Sequence, residues 1–401
     1  MRVAFLTHYF PPEVGAPQAR LDGLTAGLAA RGMDVAVHTG FPHYPDGRVL
    51  PPYRAGVVRR EDRDGVRVVR SAVLPVANRG TVLRLADHAT FALGAVLSGR
   101  MVGRRDVVVA ESPPLFLAVA AARYARARGA ALVLNVADRW PESVVAVGAM
   151  DRGRLVTAAE RLEAFAYSRA TVITAPAVGL ARALDEHPAA RGRVRRIPPV
   201  VAASSGRVGP VAPRPGPLRV LYAGTVGMAQ RLDTLIDAAR IVGPDVVRVA
   251  IAGSGADAPR LRERTVREGI DHVRWLGTVP RDDVGGLLED AEVVAVLLRD
   301  APLFRDALPT KLVEAMVAGR PVALSAAGEP AVHVERAGCG VVAPPEDPVA
   351  LADALRGLWR DRAGLVARGE RGRDYARMSF SPDASIDAWA ALLTDVAARR
   401  A

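Results

Sequence analysis

Two runs of alternating strand and helix, separated by a stretch that supports neither, constrain this chain more than any other feature. In the first run, apolar segments at 3–7, 35–39, 66–69, 107–110, 132–136 and 172–174 read as strands. Helical spacing covers about 18–31, 114–128, 155–169 and 178–184. Residues 198–217 are rich in proline, glycine, serine and valine and read as a linker. The alternation then restarts, with strands at 218–222, 247–252, 273–276, 293–297 and 321–325. Helices are expected at about 232–241, 259–268, 284–288, through Lys311, and at about 348–360. A last helix, about 384–400, follows a break at Ser379-Phe380-Ser381-Pro382. Such alternation implies parallel sheets covered by helices on both faces. The expected organisation is a doubly wound domain at 1–198, a linker at 199–217, a second doubly wound domain at 218–378 and a terminal helical segment at 379–401. Ligands in these sheets bind beyond the carboxyl ends of the strands, and two facing domains would place a cleft between those ends.

With 401 residues, half of them apolar, the chain can bury cores for two to three domains. Met1-Arg2 leads directly into a strand-like run, so no signal peptide is expected. No stretch has the roughly 18 to 20 uncharged residues of a membrane span. The single cysteine, Cys339, excludes an internal disulfide and a cysteine-based zinc site. These features predict a cytoplasmic protein. The net charge of +11 favours an acidic partner such as a nucleotide or an anionic membrane surface. Nucleic acid is disfavoured, because acids are interspersed with the arginines, aromatics are only 5%, and no recognised motif is present. Segment 79–105 carries the apolar run Phe91-Ala92-Leu93-Gly94-Ala95-Val96-Leu97 between Arg79, Arg84, Arg100, Arg104 and Arg105. It suits either an anionic membrane surface, with a peripheral location on its inner face, or a buried helix with basic ends.

Of the 54 basic side chains only Lys311 is a lysine. A compact, flexible ammonium kept where arginine is the habit points to a site that the planar guanidinium would not serve, unless composition alone left it there. It lies in Pro309-Thr310-Lys311-Leu312-Val313-Glu314, at the start of an apolar helix whose free N–H groups suit a phosphate. Glycine turns follow two strands, Tyr222-Ala223-Gly224-Thr225-Val226-Gly227 and Ala252-Gly253-Ser254-Gly255, and both permit close backbone contact with a ligand. Asp306 and Glu314 bracket the Lys311 helix start, where Glu314 is placed to grip a ribose diol and Asp306 to meet sugar hydroxyls. In the first half, Pro11-Pro12-Glu13-Val14-Gly15-Ala16-Pro17 puts Gly15 between a strand and a helix. Thr39-Gly40-Phe41-Pro42-His43-Tyr44-Pro45 is either a plain structured loop or a rigid rim in which His43 and Tyr44 meet a sugar or acceptor. Asp138-Arg139-Trp140-Pro141-Glu142-Ser143 places Asp138, Arg139 and Glu142 at a strand end. A carboxylate there can take a proton from an acceptor hydroxyl or hold a sugar hydroxyl, although Asp138 also suits a turn cap.

Taken with Tyr9-Phe10 and the segments Met228-Ala229-Gln230 and 309–322, these motifs resemble the retaining family 4 glycosyltransferases of the GT-B fold. The similarity spans nearly the whole chain and is nearest the branch of N-acetylfucosamine transferases of bacterial surface-polysaccharide synthesis. The resemblance implies two Rossmann-like α/β domains facing each other across a cleft. It implies a nucleotide-sugar donor, UDP-linked by preference, on the C-terminal domain, with its diphosphate at Thr310, Lys311 and Leu312. Gly224 and Gly253 belong to the same donor site, Glu314 would hold the ribose, and the backbone near Gly277 and Val279 would hold the base. Gly15 would approach the donor from the N-terminal domain, and Asp138 would lie beside the sugar. The final helix would cross back to the N-terminal domain. Positive charge would replace a metal at the diphosphate, so no cofactor is expected. The acceptor would be a polyprenyl-linked glycan intermediate or a small natural product.

The chain departs from that family in two places. Asp306 stands where the family commonly has a glutamate, and Thr225 and Gln230 stand where many members have arginine and lysine. Lys311 and Arg231 would then carry the phosphate charge. Other readings are a nucleotide-sugar-binding protein without turnover, a sugar-nucleotide 2-epimerase of the same fold, and a pyridoxal-phosphate phosphorylase using Lys311. Asp62-Arg63-Asp64 has the letters of a metal-binding Asp-x-Asp but reads as a solvated turn before a strand.

Overall fold

The computed structural model describes residues 1–13, 15–44, 47–54, 56–76, 81–148, 150–201 and 208–399. Val14, Pro45 and Arg79, and 202–207 of the expected linker, lie outside them, as do the side chains of Arg84 and Arg100. The chain divides into two compact units, one of Met1–Val200 with Pro382–Ala401 and the other of Val201–Ser381.

The first unit holds β1 (Arg2–Leu6), β2 (Asp34–Gly40), β3 (Val58–Arg63), β4 (Val66–Ser71), β5 (Val107–Ser112), β6 (Ala131–Val136), β7 (Val172–Ala175) and β8 (Val194–Arg196). They form one sheet in the order β3-β4-β2-β1-β5-β6-β7-β8. All neighbours pair in parallel except β3 with β4. The central strands are unbroken apolar runs, as VVVA in β5 and ALVL in β6, because helices cover both their faces. The strand β3 reads VRREDR and was not expected. Its charges suit an edge strand, where they discourage pairing with another chain. Asp62 and Arg63 are therefore the end of a strand, and the turn is Asp64-Gly65, with φ of 52° and 76°. This two-residue connection is of the kind that closes right-twisted hairpins.

The helix Pro382–Ala398 belongs to this unit. It buries Ile386, Trp389, Leu393 and Val396, spaced on one face, among Phe5, Leu24 and Leu28. Full burial of such side chains contributes roughly 1.5–3 kcal/mol each. A Cβ at Gly27 would lie 2.5 Å from Ile386 Cδ1, so the glycine lets helix Ala16–Ala30 pack this closely. Arg31 and Asp387 join the two helices at 2.5 Å.

The second unit holds β9 (Leu218–Ala223), β10 (Val247–Ala252), β11 (Val273–Gly277), β12 (Val293–Leu297), β13 (Val322–Ser325) and β14 (Gly340–Ala343). Their order is β11-β10-β9-β12-β13-β14, and every pairing is parallel. Strand order reverses between β9 and β12, the switch point where doubly wound sheets bind ligands. In the first unit the corresponding reversal is between β1 and β5.

Candidate functional site

In the second unit, the chain leaves β9 through Gly224 at φ 137° and leaves β10 through Gly253 at φ 144°. The two turns touch. A Cβ on Gly253 would lie 1.9 Å from the Gly224 carbonyl oxygen, so only glycine fits. Backbone bonds lock them, from Gly224 N to Ala252 O at 2.9 Å and from Gly253 N to Gly277 O at 2.7 Å.

Lys311 reaches this point from the first turn of helix Thr310–Val317, which Pro309 precedes. Proline at that position costs no intrahelical bond. Leu312, Val313, Ala315 and Met316 bury the helix and so fix its start. A Cβ on Gly224 would sit 3.1 Å from Lys311 Nζ. The ammonium donates to the Tyr222 hydroxyl at 2.5 Å and lies 4.1 Å from the centre of that ring. Lys311 is half-buried. Burial pushes its pKa down to about 7, against the pull of Glu314. One turn on, burial raises the Glu314 carboxyl, although Arg281 and Lys311 oppose this. Arg281 Nη1 lies 3.9 Å from Glu314 Oε1.

Gly224, Gly253, Gly277, Thr310, Lys311, Leu312 and Glu314 are thus linked by contacts or by sequence at the carboxyl ends of β9, β10 and β11. Leu312 is buried, so only its backbone is available to a ligand. Val279 is half-buried just before helix Arg281–Asp290, and Asp306 is half-buried after the short turn Pro302–Arg305. Arg231 has φ 45° and its guanidinium is paired with Glu346.

In the first unit, Gly15 is extended at φ 172° and precedes helix Ala16–Ala30, so its position demands no unusual backbone. A Cβ there would meet only the flexible Gln18 side chain. Asp138 follows β6 and is half-buried. Burial raises its carboxyl above the usual range, while the Ser143 hydroxyl and the Arg139 N–H lower it. Arg139 and Glu142 form an ion pair with each other. Glu163, not anticipated from the sequence, is pushed up to about 7 by burial, against the Tyr167 hydroxyl that donates to it at 2.7 Å. The four-residue spacing of Glu163 and Tyr167 on one helix face was the available signal.

The expected rim at His43 is different in kind. His43 is only 3% exposed and its ring faces inward, so it does not present itself to a sugar. Its Nδ1 lies 2.8 Å from Phe41 O, which can only accept, so Nδ1 carries hydrogen. Its Nε2 lies 3.2 Å from Asp87 Oδ2, and His8 Nε2 is 2.9 Å from the same oxygen. Burial disfavours the His43 charge, but the Asp87 and Phe41 hydrogen bonds outweigh it and raise the pKa. Burial lowers the His8 pKa, against its hydrogen bond to Asp87. Burial also opposes the Asp87 charge, yet its two histidines hold the carboxyl at about 2. Charge is therefore favoured on Asp87 and His43 and disfavoured on His8. These three side chains also have the convergent donor atoms a divalent cation needs, all within 4.8 Å of one another. Glu13 ties the loop after β1 to the loop after β2, accepting from the N–H groups of His43 and Tyr44 at 2.9 Å. Tyr44 is half-buried and stacks obliquely on Tyr9 at 5.2 Å.

The basic segment is corrected in one respect. Arg105 is buried and paired with Asp34 at 2.9 Å, so it does not flank a surface, whereas Arg104 is exposed. On helix Thr81–Ser98, Leu93 and Leu97 are 61% and 73% exposed, with Val96 and Met101 exposed nearby. No helix among the described residues is long and apolar enough to cross a membrane.

Residues 15–199 match the model of the Glycosyl transferase 4-like domain, and residues 217–361 match that of Glycosyl transferases group 1. The putative colanic acid biosynthesis glycosyl transferase WcaI of Escherichia coli (strain K12) is 25% identical over 311 residues, covering 73% of this chain and 75% of WcaI. Sucrose-phosphate synthase from Thermosynechococcus elongatus superimposes with a TM-score of 0.79 at 18% identity, covering 99% of each chain. HepE from Anabaena, in complex with UDP-glucose, gives a TM-score of 0.72 at 17% identity, covering 98% of this chain and 100% of HepE.

Proposed function

Because the chain belongs to the group 1 glycosyl transferases, with a 4-like N-terminal domain and the GT-B fold, we propose that it is a retaining, metal-independent transferase using a UDP-sugar. The observation that carries this reading is Lys311, held at the Gly224 turn on the first turn of helix Thr310–Val317. An ammonium and free helix N–H groups together neutralise a diphosphate where other enzymes use a metal. Glu314 receives the ribose hydroxyls, and the backbone at Gly277 and Val279 receives the base. Asp306 meets the donor sugar. The HepE complex with UDP-glucose supports UDP as the first base to test. The resemblance to N-acetylfucosamine transferases makes an N-acetylhexosamine the first sugar.

In the reaction, the bond from the anomeric carbon to the diphosphate oxygen breaks, and a bond to the acceptor oxygen forms on the same face. The acceptor proton passes to a leaving phosphate oxygen. Asp138, on the first unit, orients the acceptor hydroxyl or the sugar. A lipid-linked glycan acceptor is favoured over a small natural product by the exposed Leu93, Val96, Leu97 and Met101 with exposed Arg104 nearby. Such a surface suits an anionic membrane, where polyprenyl-linked acceptors reside. WcaI, whose name places it in colanic acid biosynthesis, agrees with a polysaccharide role.

The test is the thermal midpoint of metal-free protein with UDP, GDP, dTDP, ADP and CMP, each with and without magnesium. Native-state ligands raise the midpoint by mass action. A rise with UDP that magnesium does not change supports the proposal. A rise only with magnesium overturns metal independence, and no rise with any nucleotide overturns donor binding.

A further inference from the structure

The Tyr222 hydroxyl has one hydrogen, and it is donated to Thr225 O at 2.5 Å. Its lone pairs are thereby left to accept from Lys311 Nζ, also at 2.5 Å, while the ring lies 4.1 Å from the same nitrogen. Burial raises the phenol pKa, so the hydroxyl stays neutral. Glu314 acts on Lys311 electrostatically, and it is itself drawn to Arg281 at 3.9 Å. A long, flexible side chain is thus held between Tyr222 on one side and the Gly224 turn on the other. The ammonium loses its rotational freedom on folding, so donor binding need not supply that ordering.

We propose that Tyr222 is a positioning residue for the donor, holding the Lys311 ammonium against the Gly224 turn where the donor diphosphate meets it. The inference rests on the donor-binding reading above. It has a pH signature. With Lys311 at about 7 in the free protein, the lysine is charged in mild acid and mostly neutral at pH 8. A diphosphate then has to draw a proton onto it. Removing the hydroxyl removes an acceptor from a charged donor, which lowers the protonation midpoint by about one pH unit.

The experiment is calorimetric titration of wild type and Tyr222→Phe with UDP-N-acetylglucosamine at pH 5.5 and pH 8. Its diphosphate does not itself titrate in that range. Wild type is expected to bind about tenfold more weakly at pH 8 than at pH 5.5. At pH 8 it should take up most of one proton per ligand, read from buffers of different ionisation enthalpy. Tyr222→Phe should match wild type within about twofold at pH 5.5 and bind about tenfold more weakly at pH 8. Equal affinities at pH 8, or an equal loss at both pH values, overturn the role of Tyr222 while leaving donor binding standing. Absence of wild-type binding at both pH values overturns the donor reading and this inference with it. Tyr222→Phe keeps the buried ring, and a cooperative unfolding transition like that of wild type shows that it folds before the titrations are compared.

Discussion

Asp87→Asn should destabilise the first unit by about 2–4 kcal/mol at pH 7. The magnitude follows from the carboxyl, which its histidines hold at about 2 against an ordinary 3.8. A depression of nearly two pH units at about 1.36 kcal/mol each gives about 2.5 kcal/mol. Breaking a buried ion pair from one side typically costs about 3–5 kcal/mol, which sets the upper end. For a unit of this size the unfolding midpoint should fall by about 5–15 °C. The sign also fixes the pH dependence. A carboxyl with a depressed folded pKa contributes stability that is fully present above its unfolded value and lost as pH falls through the folded value. The deficit of the variant should therefore be complete at pH 5 and about halved by pH 3. On the alkaline side, the raised His43 contributes fully below 6.5, and wild type loses that contribution as pH rises through the folded value. Scanning calorimetry at pH 7, 5 and 3 reads all of this. A variant as stable as wild type at pH 7, or a deficit unchanged at pH 3, would refute the assignment of a buried His43–Asp87 ion pair.

Three further changes have defined outcomes. Gly253→Ala puts a methyl 1.9 Å from the Gly224 carbonyl oxygen at φ 144°, and should cost about 2–4 kcal/mol and abolish UDP binding; normal titration with UDP would contradict the interlocked turns. Glu314→Gln should weaken UDP about tenfold while leaving 2′,3′-dideoxy-UDP unchanged, since its effect acts through the ribose hydroxyls; equal losses for both ligands would remove that role. Asp138→Asn should lower transfer about 100-fold with UDP affinity within about twofold of wild type, and a parallel loss of UDP affinity would place Asp138 elsewhere in the mechanism.

The parts of this chain legible in its sequence are those fixed by local pattern. The apolar runs of β5, β6, β9 and β12 declare parallel strands because both faces of each are covered. The setting of Lys311 was legible because a helix start and a glycine turn after a strand are local features. Its partner Tyr222 was not, since 89 residues separate them and only the fold brings them together. His43 reads as a rim residue for the same reason, because Asp87, which turns its ring inward, lies 44 residues away. Arg105 reads as a surface cation until Asp34, 71 residues before it, is placed beside it. The strand β3 escapes a search for apolar alternation because an edge strand need not be apolar, although its Asp64-Gly65 turn is a hairpin signal in plain view.

The most direct test of the central claim is titration of UDP into wild type and Lys311→Met at pH 6.5 with excess chelator, with Arg399→Ala as a distant control. The account predicts saturable binding by wild type and the control without metal, and a loss of about 100-fold or more in Lys311→Met. Equal affinities for all three proteins, or wild-type binding that appears only when magnesium is restored, would contradict it.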